Sequence, residues 1–68
     1  MVLLVEVEQE SDGRWIAEIH DLPGVLVYGS SADDARAKVQ ALALRVLADR
    51  LEHGEASPGL LNISFKAA

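Results

Sequence analysis

Apolar and polar residues alternate in two short stretches near the start of the chain, residues 3–9 and 14–20. A period of two residues predicts two β-strands, each with one face buried and one face exposed. The positions predicted to face the core are Leu3, Val5, Val7, Trp15, Ala17 and Ile19. The first third of the chain is therefore predicted to form a hairpin.

The register of this hairpin follows from the length of its loop. A two-residue Asp-Gly loop would place Val7 opposite Glu18, an apolar residue opposite a charged one on the same face. A three-residue loop pairs Val7 with Ala17 instead, so that one face of the hairpin stays apolar. The sequence therefore predicts a type I turn that closes with a bulge at Gly13 in the left-handed conformation.

A second turn and a third strand follow the hairpin. Pro23 and Gly24 occupy the two central positions that a type II turn requires, because proline presets its φ angle and glycine accepts a positive one. The apolar residues 25–28 then predict a third strand, which Gly29 and Ser30 are expected to end. A meander of this kind makes the third strand parallel to the first.

A long helix is predicted next. Ser31 lies three residues before Asp34, a variant of the capping box that marks a helix start. The helix is predicted to run for about 21 residues and to stop near Gly54. Apolar residues recur along it with the 3.6-residue period of one buried stripe. They are Ala35, Val39, Leu42, Ala43, Val46, Leu47 and Leu51.

The last element predicted is a strand over residues 60–66, with Leu61, Ile63 and Phe65 on one face. A right-handed crossover through the helix would place this strand beside the first. The prediction is an α+β fold of order β-β-β-α-β, a four-stranded mixed sheet with strand order 3-2-1-4 and the helix on one face. Residues 1–68 are expected to form a single domain, since 68 residues suffice for one small core.

The sheet face away from the helix keeps apolar residues, namely Val2, Leu4 and Ile16, and Tyr28 is a candidate for the same face. A chain of this size buries only part of its apolar surface by itself, and the absence of cysteine excludes disulfides as an additional support. We therefore expect a homodimer or higher homo-oligomer with Val2, Leu4 and Ile16 at the interface, or one formed by pairing of an edge strand.

The net charge of −5 lies in residues 1–29, which carry six acidic side chains and only Arg14 as a base. The three-residue loop places Glu6 opposite Glu18, and like charges in that position are mildly destabilising. An acidic face would repel nucleic acid and attract a basic partner, or serve solubility alone. The basic residues of the predicted helix form no stripe, so no direct nucleic-acid binding is expected.

Residues suited to catalysis are sparse in this chain. His20 and His53 lie on different elements, and the acids of the first two strands are predicted to face away from the helix as ordinary surface. We therefore expect no enzyme activity, no cofactor and no metal site. The start lacks the basic segment of a signal peptide, and no apolar run approaches about 18 residues, which predicts a cytoplasmic protein without membrane contact.

The turn and helix-start residues also form an ordered pattern across residues 1–54. It reads D-G-R-W-I-A-E-I from residue 12, D-L-P-G from residue 21, Y-G from residue 28 and S-A-D-D-A from residue 31. This pattern resembles the HicB-like antitoxin domain of type II toxin–antitoxin systems, which has a partial RNase H-like fold. The residues that carry the resemblance are Gly13, Trp15, Ala17, Leu22, Pro23, Gly24, Gly29, Ser31 and Ala35.

The chain departs from the family pattern in four places. His20 stands where the family usually has a proline, Ser31 replaces threonine, and Asp34 replaces glutamate. The last two replacements keep the capping chemistry. Family members also commonly continue into a DNA-binding segment, whereas this sequence ends at Ala68. The resemblance therefore implies toxin neutralisation without operator binding.

The function implied by the resemblance is that of an antitoxin-like module that masks a small basic HicA-type ribonuclease toxin. The partner-binding residues expected from the charge pattern are Glu6, Glu8, Glu18, His20 and Tyr28. The alternative is a stand-alone oligomeric structural or interaction protein without a toxin partner. The first hypothesis requires a basic partner, and the second requires only self-association.

Overall fold

The computed structural model describes residues 1–55 and 62–68. Its elements are β1 (Val2–Gln9), β2 (Trp15–Glu18), β3 (Leu26–Gly29), α1 (Ala32–Glu52) and β4 (Ser64–Ala67). The strands form one mixed sheet of order β3-β2-β1-β4, in which β1 pairs antiparallel with β2 and parallel with β4. The predicted α+β fold and strand order are confirmed.

The core lies between α1 and the sheet face formed by β1, β2 and β3. Its buried residues are Leu3, Val5, Ala17, Ile19, Leu22, Val25, Ala35, Val39, Ala43 and Leu47. Trp15, Leu42 and Val46 pack against this cluster as half-buried side chains, as predicted. The prediction for Leu51 is wrong, because its side chain is exposed in the last turn of α1. At about 31 Å, α1 extends past the four-residue strands β2 and β3.

The hairpin turn has the predicted length and register. Val7 lies opposite Ala17, and the Gly13 N–H donates to the Glu10 carbonyl at 3.0 Å. Gly13 has a φ of +91°, which is the left-handed conformation of the bulge residue. The alternation of apolar and polar residues on the two strands therefore predicted the length of the loop correctly.

Replacing Gly13 with valine is expected to lower the free energy of unfolding by about 1–3 kcal/mol, because a β-branched residue is strained at positive φ. No atom lies within 4 Å of the position a Cβ would take, so backbone strain is the main cause of the loss. Urea denaturation followed by circular dichroism measures it. A loss below about 0.5 kcal/mol would contradict the strain argument.

The second turn is also of the predicted type. The Val25 N–H donates to the Leu22 carbonyl at 3.0 Å, and Gly24 has a φ of +83° in the third position of the turn. These are the features of a type II turn with Pro23 in its second position. The strand that follows begins at Leu26 and includes Gly29, so it lies one residue later than predicted.

The start of α1 uses Ser31 as its N-cap, as predicted. The Ser31 side chain accepts a hydrogen bond from the Asp34 backbone N–H at 3.0 Å. In a standard capping box the Asp34 carboxylate would accept from the N–H of the N-cap residue, Ser31. Here it accepts from the Ser30 N–H instead, at 2.9 Å. Lys38 lies 2.9 Å from the same carboxylate, and its hydrogen bond is the main cause that lowers the pKa of Asp34.

The end of α1 is a Schellman motif centred on Gly54, which has a φ of +69°. The Gly54 N–H donates to the Leu51 carbonyl at 3.2 Å, and the Glu55 N–H donates to the Arg50 carbonyl at 2.7 Å. These two bonds satisfy carbonyls that the helix leaves unpaired. The predicted stop at Gly54 is confirmed.

The final strand is shorter than predicted. Leu60 and Leu61 lie outside the described residues, and β4 begins at Ser64, opposite Val2. Phe65 lies opposite Leu3 and packs on the core, as predicted. Ile63 was predicted to lie within the strand, but it precedes the paired segment and its side chain is exposed.

Candidate partner-binding face

The sheet face opposite α1, here called the open face, carries every second residue of the strands. Directly paired residues on neighbouring strands point to the same face. The register therefore places Glu6, Glu18 and Leu26 in one row and Glu8, Ile16 and Tyr28 in the next. The members of the open face within the strands are Val2, Leu4, Glu6, Glu8, Ile16, Glu18, Leu26, Tyr28, Ser64 and Lys66.

The residues predicted for partner binding and for oligomerisation lie together on this face. Tyr28 lies opposite Ile16, which places it on the open face as the sequence suggested. Sequence reasoning missed Leu26 and Lys66. Leu26 could have been found by extending the period of two from Tyr28. Lys66 required the register between β1 and β4, which places it opposite Leu4.

Apolar side chains form two groups on the open face. Ile16, Leu26 and Tyr28 lie together across β2 and β3, and Val2 and Leu4 lie at the start of β1. Apart from the half-buried Ile16, these side chains are between 41% and 57% exposed. Exposed apolar groups of this kind, bordered by charged residues, are typical of interaction surfaces.

A cluster of three ionisable side chains separates the two apolar groups. Glu6 and Glu18 are directly opposite each other, as the sequence predicted. The His20 Nε2 atom lies 2.6 Å from a Glu6 carboxylate oxygen, and its Nδ1 atom lies 3.5 Å from a Glu18 carboxylate oxygen. The protonated imidazole therefore offsets, within the chain, the repulsion between the two carboxylates.

This cluster changes the titration of His20. The hydrogen bond to Glu6 is the main cause that raises the pKa of His20 above its ordinary value, and the charge of Glu18 adds to it. The protonated imidazolium is consequently the form that the two carboxylates favour.

An NMR titration is expected to give His20 a pKa above its ordinary value, and Glu6→Gln should return the pKa toward that value. Because the pKa is raised in the folded state, the contribution of His20 to stability is fully present below its unfolded pKa. This contribution is lost as the pH rises through the folded pKa. An unchanged His20 titration in Glu6→Gln would contradict the assignment.

Arg14 brings a positive charge to the same surface. Its guanidinium lies 4.3 Å from the centre of the Tyr28 ring, a cation–π contact, and its Nε donates to an Asp12 carboxylate oxygen at 2.7 Å. The Arg14 backbone N–H also donates to Asp12, and this bond is the main cause that lowers the pKa of the Asp12 carboxyl. Arg14 is thus held between the hairpin turn and Tyr28.

The charge of the open face is smaller than the sequence suggested. Of the six acids in residues 1–29, only Glu6, Glu8 and Glu18 lie on strands, and the other three lie outside them. Lys66 and Arg14 lie on the same face, and the Arg14 guanidinium is paired with Asp12. The face thus carries three of the six acids of residues 1–29, and its role in binding a basic partner stays a prediction.

A concave region lies between α1 and the edge strand β4. It is a cleft of about 170 Å³ lined by Val5, Arg36, Gln40, Phe65, Lys66 and Ala67. The Arg36 guanidinium is already paired with Asp33 at 2.6 Å. Within residues 1–55 and 62–68, no three histidine, aspartate or glutamate side chains are grouped so that they could hold a metal ion.

The chain matches no family model, no curated protein and no solved structure. In the part of the chain that the structure describes, no helix has the length and apolarity needed to cross a bilayer. The resemblance to the HicB-like domain therefore depends on the motif residues themselves. In this fold they serve the two turns, the N-cap and the packing of α1 on the sheet.

Proposed function

We propose that this chain is an antitoxin-like binding module whose open face docks on a small basic HicA-type ribonuclease toxin in the cytoplasm. The observation that carries the proposal is an uncovered sheet face with two exposed apolar groups on either side of Glu6 and Glu18. The HicB-like motif, with the departures described above, indicates the class of partner. No catalysis is assigned to the chain.

The two kinds of residue on the open face have different tasks in this proposal. Exposed ion pairs each contribute little affinity, so the glutamates mainly raise the rate of association with a basic partner. Affinity comes from the apolar groups, of which Tyr28 and Leu26 are the most suitable anchors. The open face can then cover a toxin surface without a deep pocket.

The proposal is tested by expressing the chain together with a HicA-type toxin encoded beside its gene. Restored growth of the toxin-producing cells and co-elution of the two purified proteins are the expected results. The absence of both binding and rescue would contradict the proposal.

The position of the interface is tested by the double variant Glu6→Gln with Glu18→Gln. We expect slower association with the toxin and a weaker dependence on salt. The matched control is Glu52→Gln with Glu55→Gln, which removes the same charge from exposed positions at the end of α1. Circular dichroism checks that both variants fold. If both variants bind as the parent does, the open face is ordinary solubilising surface.

Self-association uses the same surface, since Val2, Leu4 and Ile16 also lie on the open face. We propose that the free chain is a homodimer and that a toxin competes with the second copy. The exposed apolar groups favour self-association. Self-association without a toxin partner would correspond to the alternative function, a stand-alone interaction protein.

Light scattering at micromolar concentration is expected to give at least twice the 7.3 kDa of one chain. Leu4→Glu should lower this mass, because it places a charge in the centre of the proposed contact. Leu44→Glu is the matched control, since Leu44 is similarly exposed but lies on α1. A monomeric parent protein would contradict the dimer.

A further inference from the structure

We propose that His20 is a pH-sensitive gate on the open face, which in its charged form occupies the Glu6–Glu18 pair and in its neutral form leaves it free for a cation of the partner. The inference rests on the proposed function, because the partner that would supply the cation is the proposed basic toxin. It concerns regulation of the docking surface, which the HicB resemblance does not address.

The geometry of the cluster supports a gate. His20 follows β2 and reaches across to β1, so that its two ring nitrogens face carboxylates from two different strands. The side chains of His20 and Glu6 are each more than half exposed. A partner can therefore reach the carboxylates, and the imidazole can leave them without disturbing the core.

The charged groups around His20 come from several elements. They are Glu6 from β1, Glu18 from β2 and Asp21 from the following turn. Glu8 from β1 and Lys66 from β4 lie elsewhere on the open face, opposite Ile16 and Leu4. The neighbouring strand β3 adds only the apolar Leu26 opposite Glu18. The three nearest acids all favour the protonated imidazole, so the internal cation competes with an external one for the same carboxylates.

The direction of the pH effect follows from this competition. A partner cation beside Glu6 and Glu18 favours loss of the His20 proton, so affinity rises as the pH rises through the pKa of His20. One exposed charge changes affinity by about two- to fivefold. Binding is also accompanied by release of the His20 proton.

The experiment measures fluorescence anisotropy of a short labelled polyarginine peptide at low salt, at about pH 5.5 and about pH 8.5, which bracket the titration of histidine. The parent protein should bind about two- to fivefold more tightly at the higher pH. His20→Gln should bind equally at both, and His20→Lys should bind weakly at both. His53→Gln is the matched control, because His53 contacts Asp49 at the end of α1, and it should behave as the parent does.

Equal affinity of the parent at the two pH values would overturn the gate, as would a pH effect of the same size in His20→Gln. Repeating the series with a HicA-type toxin separates the gate from the proposed function. Toxin binding without pH dependence would overturn the gate and leave the proposed function standing. No toxin binding, together with a His20-dependent response to polyarginine, would overturn the proposed function and support the gate.

Discussion

Replacing Gly29 with alanine is expected to lower the free energy of unfolding by at least about 2–3 kcal/mol, at the upper end of what an inserted methyl group costs. The new Cβ would lie 2.5 Å from the Ala35 nitrogen and 2.8 Å from the Ala35 Cα. Both are backbone atoms in the first turn of α1, so no side-chain rotation relieves the overlap. Domains of this size are stable by only about 3–5 kcal/mol, and most of that is expected to be lost.

Urea denaturation followed by far-ultraviolet circular dichroism measures this loss. Gly54→Ala is the control, because Gly54 has a positive φ of +69° but no atom within 4 Å of the added Cβ. Its cost is therefore limited to about 1–2 kcal/mol of backbone strain. A smaller loss in Gly29→Ala than in Gly54→Ala would show that α1 can move away from β3 at little cost.

Gly29 also shows where sequence reasoning reaches its limit. Its position after an apolar run predicted the end of a strand, and the structure places it in the strand beneath the start of α1. Close approach of two backbones depends on how α1 packs on β3, which no local pattern contains. The turns at Gly13 and Gly24 were predictable, because their φ angles are required within four consecutive residues.

The hairpin register and strand order followed from the sequence for different reasons. Pairing Val7 with Ala17 was the arrangement that kept one face apolar, and the right-handed crossover placed the last strand beside the first. The ends of elements were less predictable. Leu51 and Ile63 both match the apolar period of their elements, but both are exposed. Leu51 lies in the last turn of α1, where the sheet no longer covers the helix, and Ile63 precedes the part of β4 that pairs with β1.

Most members of the open face could be predicted by parity, but their contacts could not. The link from His20 to Glu6 joins the turn after β2 to β1, and it depends on the side-chain conformations of both residues. Arg14 packs over Tyr28 for a similar reason, because β2 and β3 are neighbours in the sheet. The charge balance of a surface therefore requires the three-dimensional arrangement, even where its members are known.

Ile19→Ala is expected to lower the free energy of unfolding by about 2–5 kcal/mol, whereas Ile16→Ala should lower it by about 1 kcal/mol or less. The two isoleucines are three residues apart, but they lie on opposite sides of the sheet. Ile19 is fully buried beneath α1, and Ile16 is half-buried on the open face beside Tyr28. The same substitution therefore leaves a cavity at Ile19, whereas at Ile16 it mainly removes exposed apolar surface.

A second measurement on this pair connects stability with the proposed interface. Ile16→Ala should weaken self-association or toxin binding, because Ile16 belongs to the surface that a partner covers. At protein concentrations low enough to keep the chain monomeric, it should leave the free energy of unfolding nearly constant. Ile19→Ala should act on binding only as far as it reduces the folded fraction. Equal losses of stability in the two variants, measured on the monomer, would mean that the faces of β2 are assigned wrongly. Glu18 would then no longer share a face with Glu6, and the open face would lose the carboxylate pair on which partner docking and the His20 gate depend.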